Sequence, residues 1–175
     1  NDNSSSDILR LFLNCLYALS ELNIPSETVK PFFELKLLSI CGFSPNLTEC
    51  SSCGVKTQSL IFDYFSSGVV CEKCQGAMGG MIKSRRFYKL TKISHLAVGR
   101  LIKCDMKKMF SLKKALLSEE DEYNFRNFAE GFICNIFQYE PKTLSFYNQL
   151  TRSIKNEELR KKQKNTWQIS KSVIQ

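Results

Sequence analysis

Two cysteine pairs set the strongest limit on how this chain can fold. Cys50-Ser51-Ser52-Cys53 and Cys71-Glu72-Lys73-Cys74 are separated by 17 residues, 54 through 70. Two residues between cysteines let one tight knuckle present both sulfurs to a single ion. A short two-stranded excursion then returns the second knuckle opposite the first. Four thiolates complete a tetrahedral zinc shell and leave no position open to water. The spacing therefore predicts one structural zinc on Cys50, Cys53, Cys71 and Cys74, with Gly54 suited to the turn after the first knuckle. A redox reading is weaker, because no βαβ pattern surrounds either pair. Buried thiol pairs fit poorly in a loop with so little apolar content. A catalytic zinc would need an open metal position beside a general base, and the single histidine, His95, falls on an expected helix. Cys15, Cys41, Cys104 and Cys134 lie within or at the edges of expected helices and read as small buried side chains.

Around this module the pattern is helical. The first helix is expected over about 7–22, with Asp7 as N-cap and Ile8, Leu9, Phe12, Cys15, Leu16 and Leu19 as its apolar stripe. Asn23-Ile24-Pro25 ends it. A second helix is expected over about 28–41, with Pro31 confined to the first turn and Gly42 as the C-terminal cap. Residues 60–65 are strand-like, and Ser66-Ser67-Gly68 reads as a hairpin turn before Val69-Val70. Leu90, Ile93, Leu96, Ala97, Leu101 and Ile102 share a helical face, and a further helix is expected over 106–117. Ser118 and Asp121 resemble a capping box. Phe125, Phe128, Ala129, Phe132, Ile133, Ile136 and Phe137 then repeat at +3 and +4 spacing. A short segment over 142–150 and a polar, basic tail follow. The fold class expected is mainly α, a helical bundle with an inserted four-cysteine zinc ribbon. Its parts are a flexible head or linker over 1–7, the helical domain over 8–151 with the ribbon at 47–77, and the tail over 152–175.

The charge is concentrated. The whole chain carries +8, yet residues 83–114 hold 11 basic side chains and one acidic. Ten net charges in so short a segment exceed what solubility requires and favour a polyanion. Lys83, Arg85, Arg86, Lys89, Lys92, Arg100 and Lys103 are the candidate contacts to nucleic acid or an acidic tail, and Lys107, Lys108, Lys113 and Lys114 extend the block. Phe87 and Tyr88 interleave with them, and an aromatic there could stack an unpaired base. The plainer alternative is a solvated helix face with Phe87 in the core. Lys161, Lys162 and Lys164 offer non-specific electrostatic contact. The chain start has neither a basic n-region nor an apolar h-region, and the apolar run 8–19 is too short to span a bilayer. A cytoplasmic, nucleoid-associated protein with reduced thiols and no membrane partner is expected.

Phe33-Glu34-Leu35-Lys36-Leu37-Leu38, Cys41-Gly42-Phe43-Ser44-Pro45 and Cys50-Ser51-Ser52-Cys53-Gly54 resemble the middle of bacterial RecO recombination-repair proteins. Ser66 to Cys71 is similar to that family's approach to its second knuckle, and Phe132 to Tyr139 and Lys142 to Phe146 resemble its last long helix and the segment after it. The likeness covers about residues 30–150. It implies a binding protein, not an enzyme. Such proteins bind single- and double-stranded DNA and anneal strands. With a RecR-type partner they help load recombinase onto strands coated by single-strand-binding protein, SSB, whose acidic, Phe-ended tail the helical domain holds. The family's usual N-terminal OB-fold has no counterpart in this pattern, because no run of alternating strands is present. The other reading is a zinc-ribbon interaction module of the transcription or RNA machinery. The Phe-Glu-Leu to Cys-x-x-Cys-Gly stretch favours the first.

Overall fold

The computed structural model describes residues 2–78, 86–105, 108–111, 118–151, 153, 154 and 157. The chain divides into two compact units, Asn1–Phe137 and Gln138–Gln175. The first unit holds helices α1 (Asp2–Ser20), α2 (Ser26–Ile40), α3 (Glu72–Ala77), α4 (Lys92–Lys103) and α5 (Glu119–Phe137). It also holds strands β1 (Ile61–Asp63), β2 (Gly68–Val69) and β3 (Phe87–Lys89). In the second unit residues 142–151 are helical, and Phe146, Leu150 and Ile154 are exposed. The expected helix over 106–117 lies largely outside the described residues; 108–111 form one tight helical turn.

α1 begins at Asp2, earlier than Asp7 as cap would place it. Its buried stripe is Leu11, Cys15 and Ala18, whereas Leu9, Phe12, Leu16 and Leu19 are exposed. Residues 8–19 are apolar nearly all round, so periodicity cannot choose a face; close packing on α2 selects the one with smaller side chains. In α2, Pro31 lies inside the helix, beyond the first turn. The end of α2 follows expectation. Gly42 takes φ +89°, its N–H bonds Ser39 O, and Phe43 N–H bonds Leu38 O, the two bonds of a Schellman cap. α4 is capped by Thr91, whose side chain accepts from Ser94 N–H. It buries Ser94, Ala97, Val98 and Leu101 and leaves Leu96 exposed. At the start of α5, Ser118 Oγ accepts from Asp121 N–H at 3.1 Å and donates to Asp121 Oδ2 at 2.8 Å. α5 buries Phe125, Phe128, Ala129 and Phe132, and Phe137 is exposed.

The sheet is antiparallel with order β2-β1-β3. Phe62 faces Val69 on one side and Tyr88 on the other; Asp63 faces Gly68 and Phe87. Because side chains alternate along a strand, the sheet has two unlike faces. Phe62, Tyr64, Val69 and Tyr88 join the main core with α2, α4 and α5. Ile61, Val70 and Phe87 pack instead with Cys50, Cys71 and Cys74. Phe62 meets Phe128 and Phe132 edge-on, centroids 4.9 and 5.6 Å apart, the arrangement aromatic quadrupoles favour.

Polar contacts lock the helices. Lys36, buried in α2, directs its three ammonium hydrogens to the carbonyls of Leu101 (3.2 Å), Ile102 (3.1 Å) and Cys104 (2.7 Å). A cation there suits the carbonyl end of α4, where the helix itself supplies no N–H partners. Asn124 of α5 accepts from Thr91 N–H and donates to Lys89 O, which ties α5 to the β3–α4 junction.

Gly131 matters because of what stands over it. A Cβ there would lie 2.7 Å from Tyr64 Cζ, with the hydroxyl closer still. Asn135 one turn on donates to Tyr64 O at 2.6 Å, so the ring cannot simply withdraw. Gly131→Ala should lower the unfolding free energy by about 1–2 kcal/mol in a denaturant titration, because overpacking outweighs the helix-propensity gain. A stabilised variant would contradict this packing.

Candidate metal centre and basic surface

The first knuckle grows out of a tight turn. Asn46 Oδ1 accepts from Thr48 N–H and Glu49 N–H, and Glu49 bridges Lys56 across a small hairpin. Within it, Cys50 N–H bonds Val55 O, Gly54 N–H bonds Cys50 O, and Gly54 takes φ +71°. A left-handed residue suits glycine there. The second knuckle spans the start of α3, with Cys71 as the residue before the helix and Cys74 in its first turn. Strands β1 and β2 are the excursion between the knuckles, as the spacing predicts.

The four sulfurs lie within 4.8 Å of one another. Cys53 and Cys71 Sγ are 3.7 Å apart, close to the roughly 3.8 Å edge of a tetrahedron with zinc–sulfur bonds of about 2.3 Å. Burial alone would raise the Cys50 thiol, but N–H groups of Cys71, Cys53 and Ser52 bring it down to about 6. Hydrogen bonds with the thiols of Cys71 and Cys53, with burial, push Cys74 up to about 12. Four sulfurs this close therefore resist joint ionisation unless a cation sits between them. The set fits one metal ion, and an all-sulfur tetrahedral shell suits zinc. Cys15 is buried, and burial raises its thiol to about 11. Cys104 and Cys134 are half-buried, and Cys41, expected to be buried, is exposed at the end of α2.

Among the described residues, the candidate basic side chains differ in their surroundings. Lys83, Arg85, Lys107, Lys113, Lys114, Lys161, Lys162 and Lys164 lie outside the described residues. Arg86 is committed. Its Nε and Nη2 each donate to Asp63 at 2.7 Å. Asp63 is 1% exposed and also accepts from Phe65 N–H and Ser66 Oγ. Burial alone would raise its carboxyl, but the bonds from Arg86 and Ser66 and the guanidinium charge hold it below the usual carboxylate range. Lys89 on β3 and Lys92, Arg100 and Lys103 on α4 are exposed, and none is in an ion pair with a described residue. Arg100 and Lys103 stand in the last turn of α4, where the helix dipole also favours cations. Phe87 is buried, and Tyr88 is half-buried with its hydroxyl donating to Asn124 O.

A groove of about 730 Å³ lies between α4 and the segments that flank the first knuckle, 47–48 and 56–60. Leu47, Leu60 and Leu96 give it apolar walls, and Lys56 and Lys92 stand along it. His95 lines it too, with Nε2 3.2 Å from Leu47 O; burial lowers its pKa, so the ring is neutral near pH 7. Neither Lys56 nor Asp63 stood out in the sequence. Asp63 had a signal, a lone acid in an otherwise apolar strand; Lys56 had none.

No helix among the described residues is long and apolar enough to cross a membrane. The family described as Recombination protein O C terminal matches residues 2–119, more than half of the chain. The chain is similar to DNA repair protein RecO of Acetivibrio thermocellus, 28% identical over 129 residues, 69% of this chain and 51% of that protein. RecO of Clostridium novyi is 25% identical over 159 residues, 89% of this chain and 57% of that protein. RecO of Caldicellulosiruptor saccharolyticus is 44% identical over 75 residues, 42% of this chain and 30% of that protein. The chain thus spans about half the length, or less, of these relatives. No solved structure matches it.

Cys74→Ser should reduce bound zinc well below one per chain, measured by elemental analysis, and destabilise residues 46–78. Structural zinc supplies folding free energy directly. Cys41→Ser should leave the zinc content unchanged. Full zinc content in the Cys74 variant would show that the ligands are misassigned.

Proposed function

The chain belongs to the RecO family through its C-terminal part, and we propose that it serves DNA repair and recombination as a binding protein for DNA and repair partners. In this reading one zinc on Cys50, Cys53, Cys71 and Cys74 is structural. It holds the knuckles and the β1–β2 hairpin in shape and takes no part in a reaction. The observation that carries the DNA role is the basic block together with Lys89, Lys92, Arg100 and Lys103, which are exposed and make no ion pair with a described residue. Cations without protein counter-ions gain most from neutralising phosphates. Contact with single and double strands, strand annealing, pairing with a RecR-type protein and help in loading recombinase onto SSB-coated DNA belong to the same proposal.

The acidic, Phe-ended tail of SSB is the proposed protein ligand. The groove beside α4 supports this, because its leucine walls suit an apolar side chain and Lys56 and Lys92 suit carboxylates. Zinc chemistry at an open site has no support in an all-cysteine set, which fills the tetrahedron.

Salt titration of DNA binding tests the proposal. Affinity for a labelled single strand should fall steeply with salt. Lys89→Gln with Lys92→Gln should flatten the slope of log K against log salt by about 1–1.5, as expected for two lost phosphate contacts on a single strand. Absence of binding at low salt would overturn the proposal.

A further inference from the structure

The β1–β2 turn carries an aromatic ring that the fold does not use. Phe65 is 78% exposed, yet it is held in place. Its N–H bonds Asp63 Oδ1 at 3.1 Å. The Ser66 hydroxyl beside it lies 2.9 Å from Asp63 Oδ2 and 2.8 Å from Ser51 Oγ. The guanidinium of Arg86 lies 5.1 Å from the centre of the Phe65 ring and the same distance from that of buried Phe87. Asp63 fixes that guanidinium through two 2.7 Å bonds. A buried carboxylate thus positions an arginine, and the arginine backs an exposed ring.

An exposed, pre-ordered ring is suited to a planar partner. Its neighbours on the turn, Ser66 and Ser67, and Ser51 bonded to Ser66, are polar. One ring in polar surroundings is far smaller than the apolar core of a stable protein interface, but it matches the face of one nucleobase. Phe87, where the sequence placed a stacking role, is buried, and Tyr88 is half-buried with its hydroxyl bonded to Asn124 O. Arg86, a candidate contact in the sequence, is bonded to Asp63 and backs the ring.

We propose that Phe65 is a stacking platform for one unpaired base of a single-stranded nucleic acid. The proposal rests on the DNA-binding reading above and adds the residue that would distinguish unpaired strands from duplex. Stacking on an aromatic face tolerates any base, so the contact is not sequence-specific.

The test is fluorescence anisotropy of the chain with a labelled dT strand of about 16 nucleotides, the same strand made abasic, and a duplex. Phe65→Ala and Phe65→Leu should bind the dT strand about fivefold to a hundredfold more weakly. Both should bind the abasic strand and the duplex within about twofold of the parent, and Phe65→Trp should restore binding to dT. Zinc content and far-UV circular dichroism should be unchanged in all three variants. Parent-like binding of dT by Phe65→Leu would overturn the proposal, and so would an equal loss on the abasic strand. Parent-like DNA binding with altered self-association would assign the ring to protein contact, which also overturns it. If the parent chain fails to bind dT at low salt, the DNA-binding reading falls first and this proposal with it.

Discussion

Residues 61–64 alternate, and the arrangement of the whole first unit depends on that alternation. Phe62 and Tyr64 turn toward α5, where they meet Phe128 and Phe132. Ile61 turns toward the cysteines, and Asp63 toward Arg86. One short strand therefore joins a helical core to the four-cysteine module. A register slip of one residue would send Asp63 into the aromatic core and Phe62 toward the thiols. Burying an unpaired carboxylate costs several kcal/mol, so the register is strongly fixed. Tyr64 over Gly131 and Asn135 bonded to Tyr64 O secure the end of the strand to α5.

The parts legible in the sequence are those set by local spacing. The two knuckles, the Gly42 cap, the hairpin turn before Val69 and the phenylalanine stripe of α5 each depend on residues within a few positions of one another. The parts that were not legible depend on distant partners. β3 is only Phe87–Lys89, set in a run of basic residues that reads as solvated surface, and its existence depends on pairing with β1. The buried face of α1 depends on α2, because residues 8–19 are apolar nearly all round. Lys36 looks like an interruption of an apolar stripe until the carbonyl ends of α4 come into view, 65 and more residues away. Arg86 shows the same limit at the candidate site. Its charge was plain, but its use was decided by Asp63, 23 positions earlier.

The site residues fall into three groups with separate physical roles. The cysteines bring distant chain segments to one point. The Asp63–Arg86 pair stiffens the far end of the hairpin, with charge turned inward. Lys89, Lys92, Arg100 and Lys103 are exposed, and Lys92 also stands along the groove with apolar walls. Removing the metal would loosen the knuckles first, since their own apolar cluster is small compared with the aromatic core on the other face of the sheet.

The claim on which the rest stands is a single ion held by four sulfurs. Zinc K-edge X-ray absorption on the purified chain measures it directly. The structure predicts one shell of four sulfurs at about 2.3 Å with no oxygen or nitrogen ligand. A shell containing light-atom ligands, or fewer than four sulfurs, would contradict it.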